Sequence, residues 1–207
     1  PWTLYERYGD VGLLARQYPS AKAWVDLVER LAGPDRLWDE GFQLGDWLDP
    51  SAPPDDPAAA ATDKHLVATA YFAWSARRLA DTAEVLGESA DAERYARLAA
   101  EVRRAFRRRY VTGPGRLASD TQTAYAMAIV FELVPPADRE ACGERLAELV
   151  AAGGNRIGTG FLGTPLVADA LTLSGHLDRA YDLLLQRECP SWLYPVTRGA
   201  TTIWERW

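Results

Sequence analysis

Apolar residues recur at helical spacing along almost the whole chain. These patterns predict eight helices, over residues 3–17, 20–33, 62–87, 89–110, 119–134, 136–154, 164–175 and 176–188. In the helix over 89–110, Tyr95, Leu98 and Val102 lie three or four residues apart, which places them on one helical face. No stretch of Val, Ile and Thr alternates with polar residues over a useful length, so no β-strand is expected. The pattern therefore predicts an all-α fold.

Helix boundaries are indicated by capping residues and by proline. Thr3 opens a capping box, with a glutamate three residues later. The Tyr-Pro pair at Pro19 is expected to separate the first two helices. Ser119 or Asp120 is expected to cap the fifth helix, and Thr164 the seventh.

The linkers between the predicted helices alternate between short and long. The long ones, rich in glycine, proline and aromatic residues, are the loops 37–50, 111–118, 153–163 and 189–207. In an up-and-down array of helix hairpins every second linker lies at the same end, so these four loops are predicted to share one mouth. An α-solenoid would also give this alternation, but no repeat of fixed period is visible. The pattern therefore favours a closed α/α toroid.

Composition excludes several classes of function. The chain has 207 residues and a net charge of −6, which argues against a nucleic-acid surface. The basic run from Arg103 to Arg109 is expected to be a solvated helix face. No apolar run is long enough to span a membrane. Cys142 and Cys189 are predicted to be buried free thiols, and neither a metal site nor a cofactor is expected.

The long loops carry residues that are typical of a sugar site. Trp47, Trp192 and Trp204 can cover the C–H face of a pyranose, and Asp46 can accept hydrogen bonds from hydroxyl groups. Each tryptophan could instead be a plug in a small satellite core. Glu205 lies between two tryptophans, so partial desolvation is expected to favour its neutral form. A glycosidase needs such a carboxyl group, although Glu205 could equally be an ordinary polar residue.

The glycine-rich stretch over 158–165 allows close backbone approach. It could be mistaken for a phosphate-binding loop, but no strand precedes it and no lysine follows it. It is predicted to turn the chain tightly into the seventh helix, with direct contact to a ligand as the alternative.

Five stretches together resemble bacterial α-L-rhamnosidases of glycoside hydrolase family 78. They are "PWTLYERYGD", "GDWLDP", "SDTQTAYAMAI", "GTGFLGTP" and "GATTIWERW", and they occur in the family's order through nearly the whole chain. The resemblance implies that residues 1–207 are part of an (α/α)6 barrel made of antiparallel helix hairpins. It also implies a rhamnoside, either a small molecule or an oligosaccharide, as the binding partner.

The resemblance further implies an inverting mechanism on terminal, non-reducing α-L-rhamnose. The glutamate of "TTIWE" is the family's proposed general base, which maps onto Glu205, and the tryptophan of "GDW" lines the rhamnose pocket, which maps onto Trp47. The family's general acid lies in an upstream Cys-Pro-x-Arg segment that does not occur here. We also expect the family's flanking β-sandwich domains and its first and last barrel helices to lie outside residues 1–207. We therefore expect the chain to be a fragment that is inactive alone.

Two other classes of function fit parts of the pattern. Another α/α-toroid glycosidase or a polysaccharide lyase could have similar loops, although a lyase would need basic groups, and few basic residues beyond Arg156 and Arg198 lie in these loops. A helical-repeat binding module would show repeat periodicity, which is not visible. The sequence does not identify the particular rhamnoside, its linkage, the oligomeric state or the compartment.

Overall fold

The structure is a computed structural model that describes residues 1–206. Within these residues the helices are α1 (Trp2–Tyr8), α2 (Val11–Ala32), α3 (Lys64–Leu86), α4 (Ser89–Tyr110), α5 (Gln122–Val130), α6 (Arg139–Ala152), α7 (Thr164–Leu173), α8 (Leu177–Leu184) and α9 (Leu193–Thr197). A 3₁₀ turn, Pro136–Asp138, precedes α6. The predicted all-α class is confirmed.

A small β-hairpin corrects the prediction that no strand is present. Strand β1 (Val111–Gly113) pairs antiparallel with β2 (Arg116–Leu117). Strands of two or three residues are too short for period-two alternation to be detected in the sequence. Gly115, at φ +63, supplies the left-handed backbone conformation that turns the chain between them.

The chain forms two compact units. The first contains residues 1–41 and 68–106, and the second contains residues 42–67 and the chain from Arg107 onward. In the first unit α2 and α4 are tied by polar contacts: the Tyr95 hydroxyl donates to Asp26 at 2.7 Å, and the Tyr18 hydroxyl donates to Asp91 at 2.7 Å. None of the helices within residues 1–206 is both long enough and apolar enough to cross a membrane.

The predicted break at Pro19 is wrong, because α2 runs through this proline without interruption. The chain breaks earlier. Gly9 adopts a left-handed conformation that ends α1, and the Asp10 carboxylate accepts from the Leu13 N–H at 2.8 Å to begin α2. Thr3 is also not an N-cap, since it lies inside α1, whose N-cap is Pro1.

In the second unit, α5 packs against α6 and α7 and forms the centre of the core. Every side chain from Gln122 to Ile129 is buried, which explains the continuous apolar run in this stretch. The N-cap is Thr121, whose hydroxyl accepts from the Ala124 N–H at 3.3 Å, and not Ser119 or Asp120 as predicted. The first turn of α5 therefore places Gln122 and Thr123 inside the unit, next to the loop 153–163.

Candidate active site

Three of the four long loops line one cavity in the second unit. Its volume is about 680 Å³, and apolar and aromatic side chains dominate its walls. The lining residues come from the loops 37–50, 153–163 and 189–207 and from helices α7 and α8: Leu48, Thr159, Gly160, Phe161, Thr164, Pro165, Ala168, Leu184, Trp192, Ile203, Trp204 and Glu205. A pocket of this size and composition is typical of a small-molecule site.

The fourth long loop, 111–118, contributes no residue to this cavity. It is the β-hairpin described above, and Gly115 lies against α6, where an added Cβ would come within 3.0 Å of the Ala141 backbone. The prediction that all four loops line one mouth is therefore met by three of them. The alternation of linker lengths predicts at which end of the helices each long loop begins. It does not predict the direction in which that loop then folds.

The Asp46 carboxylate anchors the loop that forms one wall of the cavity. One oxygen, Oδ1, accepts from the backbone N–H groups of Leu162 and Gly163, both at 3.0 Å. The other, Oδ2, accepts from the Gly160 N–H at 2.7 Å and from the Thr123 hydroxyl at 2.5 Å. Asp46 is completely buried, and it joins two loops more than a hundred residues apart in the chain.

Burial raises the pKa of Asp46 above its ordinary value because desolvation penalises the charged form. The four hydrogen bonds act in the opposite direction and lower the pKa, because each donor stabilises the carboxylate. Both oxygens are already saturated. Direct contact with a sugar hydroxyl, as predicted from the sequence, would require one of these donors to be displaced.

A second buried side chain holds the beginning of the same loop. Gln122 donates from its amide nitrogen to the Arg156 carbonyl at 3.3 Å and accepts from the Gly158 N–H at 3.0 Å. Gly160 then passes so close to the first loop that an added Cβ would lie 2.3 Å from the Asp46 carbonyl oxygen. The predicted tight turn into α7 is therefore present, and Gly160 itself also lines the cavity.

The predicted N-cap role of Thr164 is wrong. Thr164 is the first residue of α7, and Gly163 precedes it as the N-cap without a side-chain hydrogen bond. The Thr164 hydroxyl instead bonds back into the loop, to the Gly160 carbonyl at 2.7 Å and to the Thr159 hydroxyl at 2.8 Å. This contact is possible because the loop folds over the start of the helix.

The predicted tryptophans lie in different environments. Trp192 is half-buried and Trp204 is 36% exposed, and both line the cavity. Trp204 packs edge-on against Tyr194, with 6.1 Å between ring centroids. Trp47 is half-buried and is not among the lining residues, although its carbonyl accepts from the Phe161 N–H at 2.8 Å and its neighbour Leu48 lines the cavity.

Glu205 carries the only carboxylate among the described residues that line the cavity. Its side chain is exposed, so the predicted desolvation between two tryptophans is wrong for residues 1–206. One of those tryptophans, Trp207, lies outside the described residues. Glu188, the other acid of this part of the chain, is paired with Arg156 and does not line the cavity.

Several cavity residues were not identified from the sequence. Phe161 is 47% exposed, and Leu48, Leu184 and Ile203 add further apolar surface. Phe161 lies inside the glycine-rich stretch, where an exposed aromatic side chain between glycines is a usable signal of a binding surface. Leu184 lies on α8, and its position on an ordinary amphipathic helix gave no signal.

Both cysteines are free, which agrees with the prediction, but only Cys142 is buried. Burial raises the pKa of the Cys142 thiol to about 11. Cys189 is exposed, because it lies in the loop after α8. Within residues 1–206 no three His, Cys, Asp or Glu side chains lie close enough to hold a metal ion.

A loop-lined cavity with aromatic walls and one carboxylate on a helical scaffold fits a carbohydrate-binding domain. Comparison with known proteins identifies the family. All 207 residues match the family described as the bacterial alpha-L-rhamnosidase 6 hairpin glycosidase domain. The chain belongs to this family.

Individual relatives and solved structures agree with that assignment. An alpha-L-rhamnosidase of Streptomyces avermitilis is 44% identical over 207 residues, covering 100% of this chain and 19% of the relative. The structure of Aspergillus terreus α-L-rhamnosidase matches with a TM-score of 0.95 at 40% identity, over 100% of this chain and 24% of that one. The Streptomyces avermitilis enzyme complexed with L-rhamnose matches with a TM-score of 0.88 at 43% identity, over 100% of this chain and 19% of that one. The chain thus spans about a fifth to a quarter of the length of these proteins.

Proposed function

We propose that the protein containing this chain hydrolyses terminal, non-reducing α-L-rhamnose from α-L-rhamnosides. The observation that carries the proposal is the position of Glu205 in a cavity lined by Trp192 and Trp204. Flat aromatic rings can cover the apolar face of a deoxy sugar, and a carboxylate beside them can activate a water molecule that attacks the anomeric carbon. The bound sugar in the solved Streptomyces avermitilis structure supports L-rhamnose as the ligand.

We propose that Glu205 is the general base of an inverting reaction. In this mechanism the base takes a proton from water as the water attacks one face of the anomeric carbon, while a general acid protonates the leaving oxygen on the opposite face. The exposure of Glu205 fits this role, because a water molecule must reach its carboxylate. The two carboxyl groups of an inverting pair are typically about 6.5–9.5 Å apart, which leaves room for that water.

The general acid is proposed to come from a part of the enzyme outside residues 1–207. Among the described lining residues Glu205 is the only carboxylate, so the cavity supplies one of the two groups that the reaction needs. Asp46 is not a candidate for the second role, because its oxygens are buried and saturated by loop donors.

The test is a Glu205→Gln substitution in the complete enzyme. The amide keeps the size of the side chain but cannot accept a proton, so we expect turnover of an aryl α-L-rhamnoside to fall by roughly 10²–10⁴-fold with no change in thermal stability. Added azide should restore turnover and give a glycosyl azide of inverted configuration, because a small anion replaces the activated water.

Glu188→Gln is the matched control for this experiment. It makes the same chemical change in the same part of the chain, at an acid that does not line the cavity. Near-normal turnover in Glu205→Gln would show that the base lies elsewhere. An equal loss in both variants would show that the effect is not specific to the cavity.

A further inference from the structure

We propose that Asp46 is a positioning residue of the active site, which acts by fixing the loop segment 160–163 and does not touch the sugar. The inference rests on the proposed function, because it treats the cavity wall formed by residues 160–163 as part of the rhamnosidase active site. The sequence suggested direct sugar binding for Asp46, and the hydrogen-bond geometry supports a different role.

The first argument is the saturation of the carboxylate. Each oxygen of Asp46 accepts two hydrogen bonds, from three backbone N–H groups and one hydroxyl. The side chain is 0% exposed, and Asp46 is not among the residues that line the cavity. A bound sugar therefore has neither a path to this carboxylate nor an unused acceptor position on it.

The second argument is what the anchored segment carries. Gly160 and Phe161 line the cavity, and Phe161 lies between residues whose N–H groups bond to Asp46. The Phe161 N–H donates in turn to the Trp47 carbonyl at 2.8 Å. The Asp46 carboxylate thus fixes the backbone that carries Phe161 together with the backbone next to Trp47.

The third argument is the chemical type of the anchor. Three N–H groups and a hydroxyl converge on two atoms, and only a group that accepts at both atoms can satisfy all of them. An asparagine would turn an NH₂ group toward two of these donors. The Thr123 hydroxyl could reverse and accept from it, but at least one backbone N–H would be left unpaired in a buried position. A neutral side chain of the same shape therefore cannot hold the segment in the same conformation.

Two pairs of variants test the inference in the complete enzyme. The first pair is Asp46→Asn and Asp49→Asn. Asp49 is a matched control: it is 4% exposed and accepts from the Ser51 N–H and hydroxyl, both at 2.7 Å, and from the Ala61 N–H at 3.3 Å, so it bonds to no residue of the segment 160–163. We expect both variants to melt at lower temperature, and only Asp46→Asn to lose kcat/KM for an aryl rhamnoside, by roughly 10- to 100-fold, mainly in kcat.

The second pair separates positioning from direct contact with the sugar. Thr123 is buried and does not line the cavity, and its hydroxyl bonds to Asp46. Thr123→Val removes one of the four donors without altering any group that a sugar could reach, whereas Thr123→Ser keeps the hydroxyl. Positioning predicts a kcat/KM loss of several-fold in the valine variant and recovery in the serine variant. If Asp46→Asn does not fold, the comparison of Thr123→Val with Thr123→Ser still tests the inference.

Hydrogen exchange of the Gly160, Leu162 and Gly163 amides gives a readout that does not depend on activity. We expect these amides to exchange faster in Thr123→Val than in the wild type and Thr123→Ser. Full activity in Asp46→Asn, an equal kinetic loss in Asp49→Asn, or unchanged kinetics in Thr123→Val would each overturn the inference. A wild-type enzyme that does not cleave rhamnosides, with the exchange result as expected, would refute the proposed function and leave the anchoring of the segment intact.

Discussion

A single methyl group at position 160 should distort the candidate active site. Gly160 crosses the first loop so closely that a Cβ added to it would lie 2.3 Å from the Asp46 carbonyl oxygen and 2.4 Å from the Trp47 carbonyl oxygen. Both atoms belong to the backbone, so no side-chain rotation can relieve the overlap. Gly160→Ala therefore requires one of the two loops to move.

The loss in free energy of unfolding depends on which contacts the loop movement breaks. Forcing an extra methyl group into a packed site costs typically about 1–3 kcal/mol. Movement that relieves the overlap weakens the bond from the Gly160 N–H to the Asp46 carboxylate, and a bond to a charged group contributes about 1.5–3 kcal/mol. Because relaxation exchanges one loss for the other, we expect a decrease of about 1–3 kcal/mol in the free energy of unfolding. For a domain of this size that lowers Tm by about 2–12 °C.

Gly113→Ala is the control for this prediction. Neither glycine has a positive φ, and an added Cβ at Gly113 meets nothing within 4 Å. The pair therefore separates the overlap from the general effect of replacing glycine on the unfolded chain. The assay is thermal unfolding of both variants in the complete enzyme, followed by rhamnoside kinetics below the transition, where we expect only Gly160→Ala to lose kcat/KM. Equal Tm and equal kinetics in the two variants would refute the close approach of the loops.

Two further predictions concern the loop tryptophan and the thiols. Trp47 does not line the cavity within residues 1–206, and its contact with rhamnose is what the family resemblance implies. If that contact is made in the complete enzyme, Trp47→Ala should weaken rhamnose binding, with a lost stacking contribution of about 0.5–1.5 kcal/mol beyond the area term, measured by calorimetry. Unchanged affinity with lowered Tm would indicate a packing role for Trp47 instead. In the native chain, an alkylating reagent at neutral pH should modify Cys189 and spare Cys142, whose pKa of about 11 and burial both oppose reaction. Peptide mapping that finds equal labelling of both would contradict the buried position of Cys142.

The fold was predictable from the sequence where periodicity extends over several turns. The long apolar and amphipathic runs became helices, including the fully buried α5. Errors occurred where a single residue decides the local outcome. Pro19 indicated a break that the helix does not make, while Gly9 and Asp10 produce one nine to ten residues earlier. The β-hairpin was missed because two strands of this length have no periodic signal.

The sequence predicted the types of residue in the candidate site and some of the individual residues that line it. Trp192, Trp204 and Glu205 were identified from the sequence, and all three line the cavity. The role of Asp46 could not be predicted, because an aspartate followed by a tryptophan in a loop has the same local pattern whether it faces a ligand or the interior. The hydrogen-bond donors that turn Asp46 toward the interior lie 77 to 117 residues further along the chain.

The charge of Asp46 gives its anchoring role a cost in stability. Its pKa is raised in the folded protein, so the native state keeps a proton at pH values where the unfolded chain has already lost it. Between the ordinary value of 3.8 and the raised one, the unfolded chain binds fewer protons, and the free energy of unfolding falls as the pH rises through that window. At higher pH the buried carboxylate is ionised, and its four hydrogen bonds offset only part of the desolvation penalty. A neutral anchor would avoid this penalty but could not accept four hydrogen bonds at two atoms, so the geometry of the cavity wall is obtained at the expense of stability.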